Sequence, residues 1–237
     1  MKRTALAAAS ALSLAAVLTA CGGSDQGTDS NSKPEKTTAS PAKTLSPAEQ
    51  VARLMVTKAE AGGYSVRKPS AGDSLAETQD EMNVDKAACT PLAYAMNELP
   101  VGTSEASLTR VADKSTGMLT YITLSTYADG KAATAMKDLT TAADSCGSGF
   151  TAKSNSGSTT YDSVTVETAP SGSDESLATA ATFKFRGLTQ TIRTQTFRFG
   201  DTIASYFTLD SSAFMNAHLG KAKIPADLVK AQNSKLG

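Results

Sequence analysis

The chain has no Trp, a single His (His218) and three Cys, and aromatic residues make up 5% of its 237 positions. A lone His cannot form an H-E-x-x-H zinc site, and it leaves little material for a histidine-based catalytic centre. No G-x-S-x-G occurs, which removes the nucleophile elbow of an α/β-hydrolase. An excess of either charge is also lacking: 23 Lys plus Arg stand against 23 Asp plus Glu. Nucleic-acid binding needs a concentrated basic footprint, so the composition argues against that partner. Beyond Ala20 no run is long and apolar enough to cross a bilayer.

What is present begins at the N-terminus. Lys2 and Arg3 precede an apolar run from Ala5 to Ala20 that only Ser and Thr interrupt. This is the plan of a secretory signal, too short for a membrane span. It ends in Leu18-Thr19-Ala20-Cys21, which resembles a bacterial lipobox. The resemblance implies a signal peptide over 1–20, cleavage before Cys21 and acylation of the Cys21 thiol. The expected location is the extracytoplasmic side of the cell membrane, held by two or three acyl chains where one would bind only reversibly. An ordinary secretory signal whose cleavage site happens to precede a Cys is the alternative.

From Gly22 to Thr44 there is no Val, Ile, Leu, Met or aromatic residue. Such a stretch cannot bury enough surface to offset the entropy of ordering it, so 21–44 reads as an acylated, disordered tether. Order is expected from Ser46-Pro47-Ala48-Glu49, which combines an N-cap, a Pro at the first helical position and a capping-box Glu. Residues 45–237 then form one domain, long enough for a sizeable core.

Within that domain the apolar spacing predicts a helix from Ser46 that Gly62-Gly63 closes, and a short strand near Tyr64–Arg67. A helix is expected over Asp85–Asn97, with a break or late start at Pro91. Strands follow over Ser107–Val111 and Leu119–Tyr127, then an Ala-rich helix over Gly130–Ser145. Tyr161–Glu167, Ala178–Arg186, Thr189–Phe199 and Thr202–Leu209 alternate with period two and are punctuated by Gly187 and Gly200-Asp201. A final helix fits Pro225–Lys235. Adjacent strands with short turns, and helices grouped elsewhere, give an α+β class: a mainly antiparallel sheet of about six strands packed with helices. Five of the seven Phe residues lie between Phe183 and Phe207, so the core is expected to be heaviest there.

With Cys21 set aside, Cys89 and Cys146 remain. An even pair in an exported domain predicts a disulfide, whereas the absence of C-x-x-C argues against a redox or metal site. Asp80, Glu81 and Asp85 match no calcium-loop spacing, and no metal or cofactor is expected. Ser-x-x-Lys at Ser30, Ser40 and Ser65 lacks the companion elements that give that pair mechanical meaning. His218 sits among apolar residues and reads as structural. Strict alternation would put Thr182, Lys184, Arg186, Thr194, Thr196 and Arg198 on the outward face of the late sheet. Left uncovered, that face suits an anionic or sugar-like ligand; its ordinary alternative is the wet side of an antiparallel sheet.

Cys89-Thr90-Pro91-Leu92-Ala93-Tyr94, the stretch Tyr121–Ala128, and the Ala-rich helix that runs into Cys146-Gly147-Ser148-Gly149-Phe150 resemble the exported sensor-like domains of mycobacterial PknH-type receptor kinases and related actinobacterial lipoproteins. The resemblance implies a sheet flanked by helices, with a cleft that could take a ligand. That pattern usually carries two disulfides, and this chain has cysteines for one. A fainter likeness is to lipoproteins of the LppX and LprG type, which enclose an apolar cavity. The expected function is therefore a non-enzymatic ligand-binding or sensor-like domain for a small-molecule, cell-wall or protein ligand, with a lipid or lipoglycan carrier as the alternative and a cell-wall hydrolase behind both.

Overall fold

The computed structural model describes residues 44–237, apart from 116. The signal peptide, Cys21 and almost all of the tether lie outside the described residues. Helix α1 (Pro47–Leu54) opens with the expected reciprocal cap: Glu49 N–H donates to Ser46 Oγ, and the Glu49 carboxylate accepts from Ser46 N–H. It stops at Leu54 rather than running to Gly62, because the backbone N–H of Val56 turns aside to donate to the buried Gln232 side chain at 2.7 Å.

Nine strands, not about six, make one sheet. They are β1 (Ser65–Arg67), β2 (Asn83–Val84), β3 (Ala106–Asp113), β4 (Met118–Thr126), β5 (Phe150–Ser154), β6 (Gly157–Glu167), β7 (Glu175–Phe185), β8 (Leu188–Phe199) and β9 (Thr202–Asp210). Their order is β1-β3-β4-β9-β8-β7-β6-β5-β2, and every pairing is antiparallel. The short β2 and β5 are the two strands that no expected segment covered. Helix α2 (Thr90–Ala95) starts late, with Pro91 where its missing N–H costs nothing. Helices α3 (Lys131–Ser145), α4 (Ser211–Asn216) and α5 (Ala226–Asn233) complete the set, α4 being unanticipated.

Both faces of the central strands are covered, unlike the usual antiparallel sheet with one wet side. On one face, Leu92 of α2, Met96 just after it, and Met136 and Leu139 of α3 pack over Tyr121, Phe207, Ile192 and Ala181. On the other, Val51 of α1, Met55 just after it, and Leu228 and Val229 of α5 pack over Ile122, Leu124, Phe197 and Tyr206. Each large apolar side chain buried this way contributes about 1.5–3 kcal/mol. The predicted Cys89–Cys146 disulfide is present, with 5.8 Å between the Cα atoms, and joins the start of α2 to the end of α3. Just beyond it Gly149 (φ 80°) passes so close to β6 that a Cβ would sit 2.0 Å from the Tyr161 carbonyl oxygen. No helix among the described residues is long and apolar enough to span a membrane.

Candidate functional site

The six side chains expected to form a ligand face do not share one. Thr194 pairs with Thr179 and Phe207, and Thr196 with Leu177 and Ser205, on the face beneath α2 and α3. Arg198 pairs with Glu175 and Ile203 on that same face, whereas Lys184 pairs with Thr189 on the other. Thr194 and Thr196 are 4% and 1% exposed, and their hydroxyls are taken by Thr179 at 2.7 Å and Ser205 at 3.3 Å. Cross-strand hydroxyl pairs of this kind let threonine fill an interior position without leaving a polar group unmatched. Arg198 donates to Glu175 at 2.8 Å and Asp174 at 3.1 Å. Arg186 lies in the two-residue turn to β8, with φ 49° followed by 79° at Gly187, as right-handed hairpins demand. The ligand-face expectation is thereby corrected: strand register separates these residues, and their partners lie within the domain.

His218 is exposed rather than buried. Its Nδ1 lies 2.9 Å from the Leu219 carbonyl, and its Nε2 lies 3.4 Å from Ser212 Oγ. Ser212 donates to Asp210 at 2.6 Å. The carboxylate thus holds the Ser and does not orient the imidazole, the reverse of the arrangement that makes a Ser-His-Asp relay work. Asp85 accepts the Thr151 N–H at 2.8 Å and Glu81 the Glu77 N–H at 2.9 Å. No cluster of three or more metal-binding side chains occurs among the described residues.

A different place concentrates polar chemistry. At the end of α2, Leu99 N–H reaches back to the Tyr94 carbonyl at 3.1 Å, the long hydrogen bond of a Schellman motif. The residue between, Glu98, takes the left-handed position with φ 65°, where glycine is the usual occupant. Its carbonyl is held by two sheet hydroxyls, Thr123 at 2.9 Å and Thr109 at 3.3 Å. The neighbouring Asn97 amide is tied to Ala93 O at 2.7 Å and to Tyr161 Oη at 3.4 Å. The backbone at Glu98 is therefore fixed from the helix and the sheet together.

Its side chain is 8% exposed and helps line a cleft of about 490 Å³ with Lys68, Ser74, Ser107, Thr109 and Arg110. Ser74 Oγ donates to the carboxylate at 3.2 Å, and no cation pairs with it among the described residues. Burial is the main reason its pKa is pushed up to about 7; nearby Asp73 adds to the rise and the Ser74 hydrogen bond opposes it. Tyr121, deeper on the same face, is pushed well above its usual value, first by burial and then by the charges of Glu98 and Asp73. The site thus offers a carboxyl that changes charge near neutrality in a pocket of small-molecule size. Sequence reading missed it because the only local signal is an acidic residue at a helix end, in Asn97-Glu98-Leu99-Pro100.

No family model matches the chain, and no curated protein does. Among solved structures, the crystal structure of the extracellular domain of PknH from Mycobacterium tuberculosis superposes with a TM-score of 0.50. The match covers 79% of this chain and 93% of that one, at 10% sequence identity. At that identity the likeness is one of fold alone.

Proposed function

We propose that the chain is an exported lipoprotein, anchored through acylated Cys21, whose domain is a non-enzymatic, sensor-like ligand-binding module with the Glu98 cleft as its site. The observation that carries this reading is Glu98 itself. Left-handed backbone at a non-glycine residue and an uncompensated buried carboxyl each oppose folding, and such costs concentrate at functional sites. The lipobox, the disulfide and the fold shared with an extracellular domain support the extracytoplasmic placement. The lipid-carrier alternative has less support, because packed side chains fill both faces of the central strands.

Anchoring is tested by metabolic labelling with palmitate in a bacterium that processes lipoproteins. The wild-type chain is expected to carry label and to partition into detergent, and Cys21→Ala to carry none. A labelled Cys21→Ala chain would overturn the anchor assignment. Binding is tested by native mass spectrometry of the exported protein: a co-purified small molecule that Glu98→Gln releases is the expected result.

A further inference from the structure

We propose that the Glu98 cleft takes a short zwitterionic peptide, its ammonium at Glu98, its carboxylate at Lys68 and Arg110, and its backbone along the outer edge of β3. This rests on the ligand-binding reading of the cleft and names the chemistry of the ligand. Three independent features converge.

The first is charge. The Glu98 carboxylate lines the inner part of the cleft without a cation, while Lys68 and Arg110 line the same cleft without a carboxylate partner among the described residues. Arg110 donates only to the Thr109 carbonyl, at 2.9 Å. A simple anion would leave the buried carboxyl uncompensated, and a simple cation would leave the two basic groups so. A ligand carrying both charges satisfies both ends.

The second is backbone. β1 pairs with β3 only from Val111 to Asp113, and the chain then departs at Lys68 to form the far wall of the cleft. Along Ala106–Arg110, β3 has a strand partner in β4 but none on its outer side. Apart from the Thr109 carbonyl, which Arg110 takes, this edge has no strand partner, and such an edge is the recognition surface that extended peptides use.

The third is size. About 490 Å³ lies in the range of small-molecule pockets, and an extended chain advances about 3.3 Å per residue, so a di- or tripeptide is the fitting length. The fixed backbone at Glu98 keeps its carboxylate in place before any ligand arrives, which lowers the ordering cost of binding.

The test uses the full-length chain with Cys21→Ser, titrated at pH 8 with alanyl-alanine, its N-acetyl derivative and its C-terminal amide. Binding is followed by calorimetry and backbone amide NMR. The free dipeptide is expected to shift amides in 68–77, 97–99 and 107–110, and each capped derivative to bind at least tenfold more weakly. In Glu98→Gln the penalty for N-acetylation is expected to vanish, and in Arg110→Gln the penalty for amidation. These differences are read within a folded variant, so a general loss of stability does not imitate them. Glu98→Gly, which relieves the left-handed strain, serves as a second variant: it is expected to melt higher than wild type and to lose the dipeptide. Equal affinity for all three probes overturns the proposal, as does failure of any to bind. If none binds but Glu98→Gln still releases a co-purified molecule, only the peptide assignment falls. If neither occurs, the ligand-binding reading falls with it.

Discussion

Glu98 couples the fold to pH in a direction opposite to the other shifted carboxylates. Its pKa is raised from 4.5 to about 7, so between those values the folded state holds a proton that the unfolded chain has released. Stability from this group is therefore greatest below pH 4.5 and is lost as pH climbs to 7. The ceiling is about 3 kcal/mol, at 1.36 kcal/mol per unit. Glu49, Glu60, Asp210 and Asp227 are shifted downward by hydrogen bonds and ion pairs, so their contributions are lost only as pH falls below the normal carboxylate range. Urea unfolding at pH 5, 6, 7 and 8 should show stability declining across that interval for wild type. Glu98→Gln should be nearly flat, and parallel curves would remove Glu98 as the source. A bound ammonium favours the ionised form, so saturating dipeptide should reduce the decline. At this scale the sequence was a poor guide. It marked Lys184, Arg186, Thr194, Thr196 and Arg198, whose roles hinge on strand register, and one-residue differences in register move a side chain to the opposite face. It passed over Glu98 because a left-handed glutamate has no compositional signature.

Between elements, Gln232 joins the two ends of the domain. Fully buried in α5, it accepts from Val56 N–H at 2.7 Å and donates to the Leu54 carbonyl at 2.9 Å, closing the C-terminus of α1. Gln232→Ala should strand both backbone groups in the core and cost about 3 kcal/mol. Faster hydrogen exchange at the Val56 amide should accompany the loss, and unchanged exchange there would show that the end of α1 is held by other means. The same contact explains a boundary that periodicity could not give. Val51, Leu54, Met55 and Ala59 keep helical spacing, but a side chain 176 positions away diverts the backbone at Val56. The capping box, the late start at Pro91 and the long strands were legible because their causes are local. β2 and β5 were not: strands of 2 and 5 residues carry too little alternation to read, and they exist because longer neighbours offer them an edge.

Taken whole, the domain is a nine-stranded sheet with helices on both faces and a single covalent bridge. Removing the bridge with Cys89→Ala and Cys146→Ala should lower stability by about 4 kcal/mol, the chain-entropy value for a closed span of 57 residues. Chemical denaturation of the double variant measures this, and a loss under 1 kcal/mol would mean that α2 and α3 hold together through packing alone. The class was legible from the crowding of alternating strands after Gly147, and the bridge from counting cysteines. The extent of the sheet was not, since it follows from pairings that no local window contains. Strand order also sets a timetable. β1, β3 and β4 form one block, β2 and β5 through β8 another, and only β9 is paired to both. As the chain emerges N-terminus first, no strand pairing can join the blocks until the segment ending at Asp210 has appeared, and the Gln232 contact must wait longer still. Union of the two blocks into one sheet is thereby deferred to the last part of synthesis, although each block can pair its own strands before that.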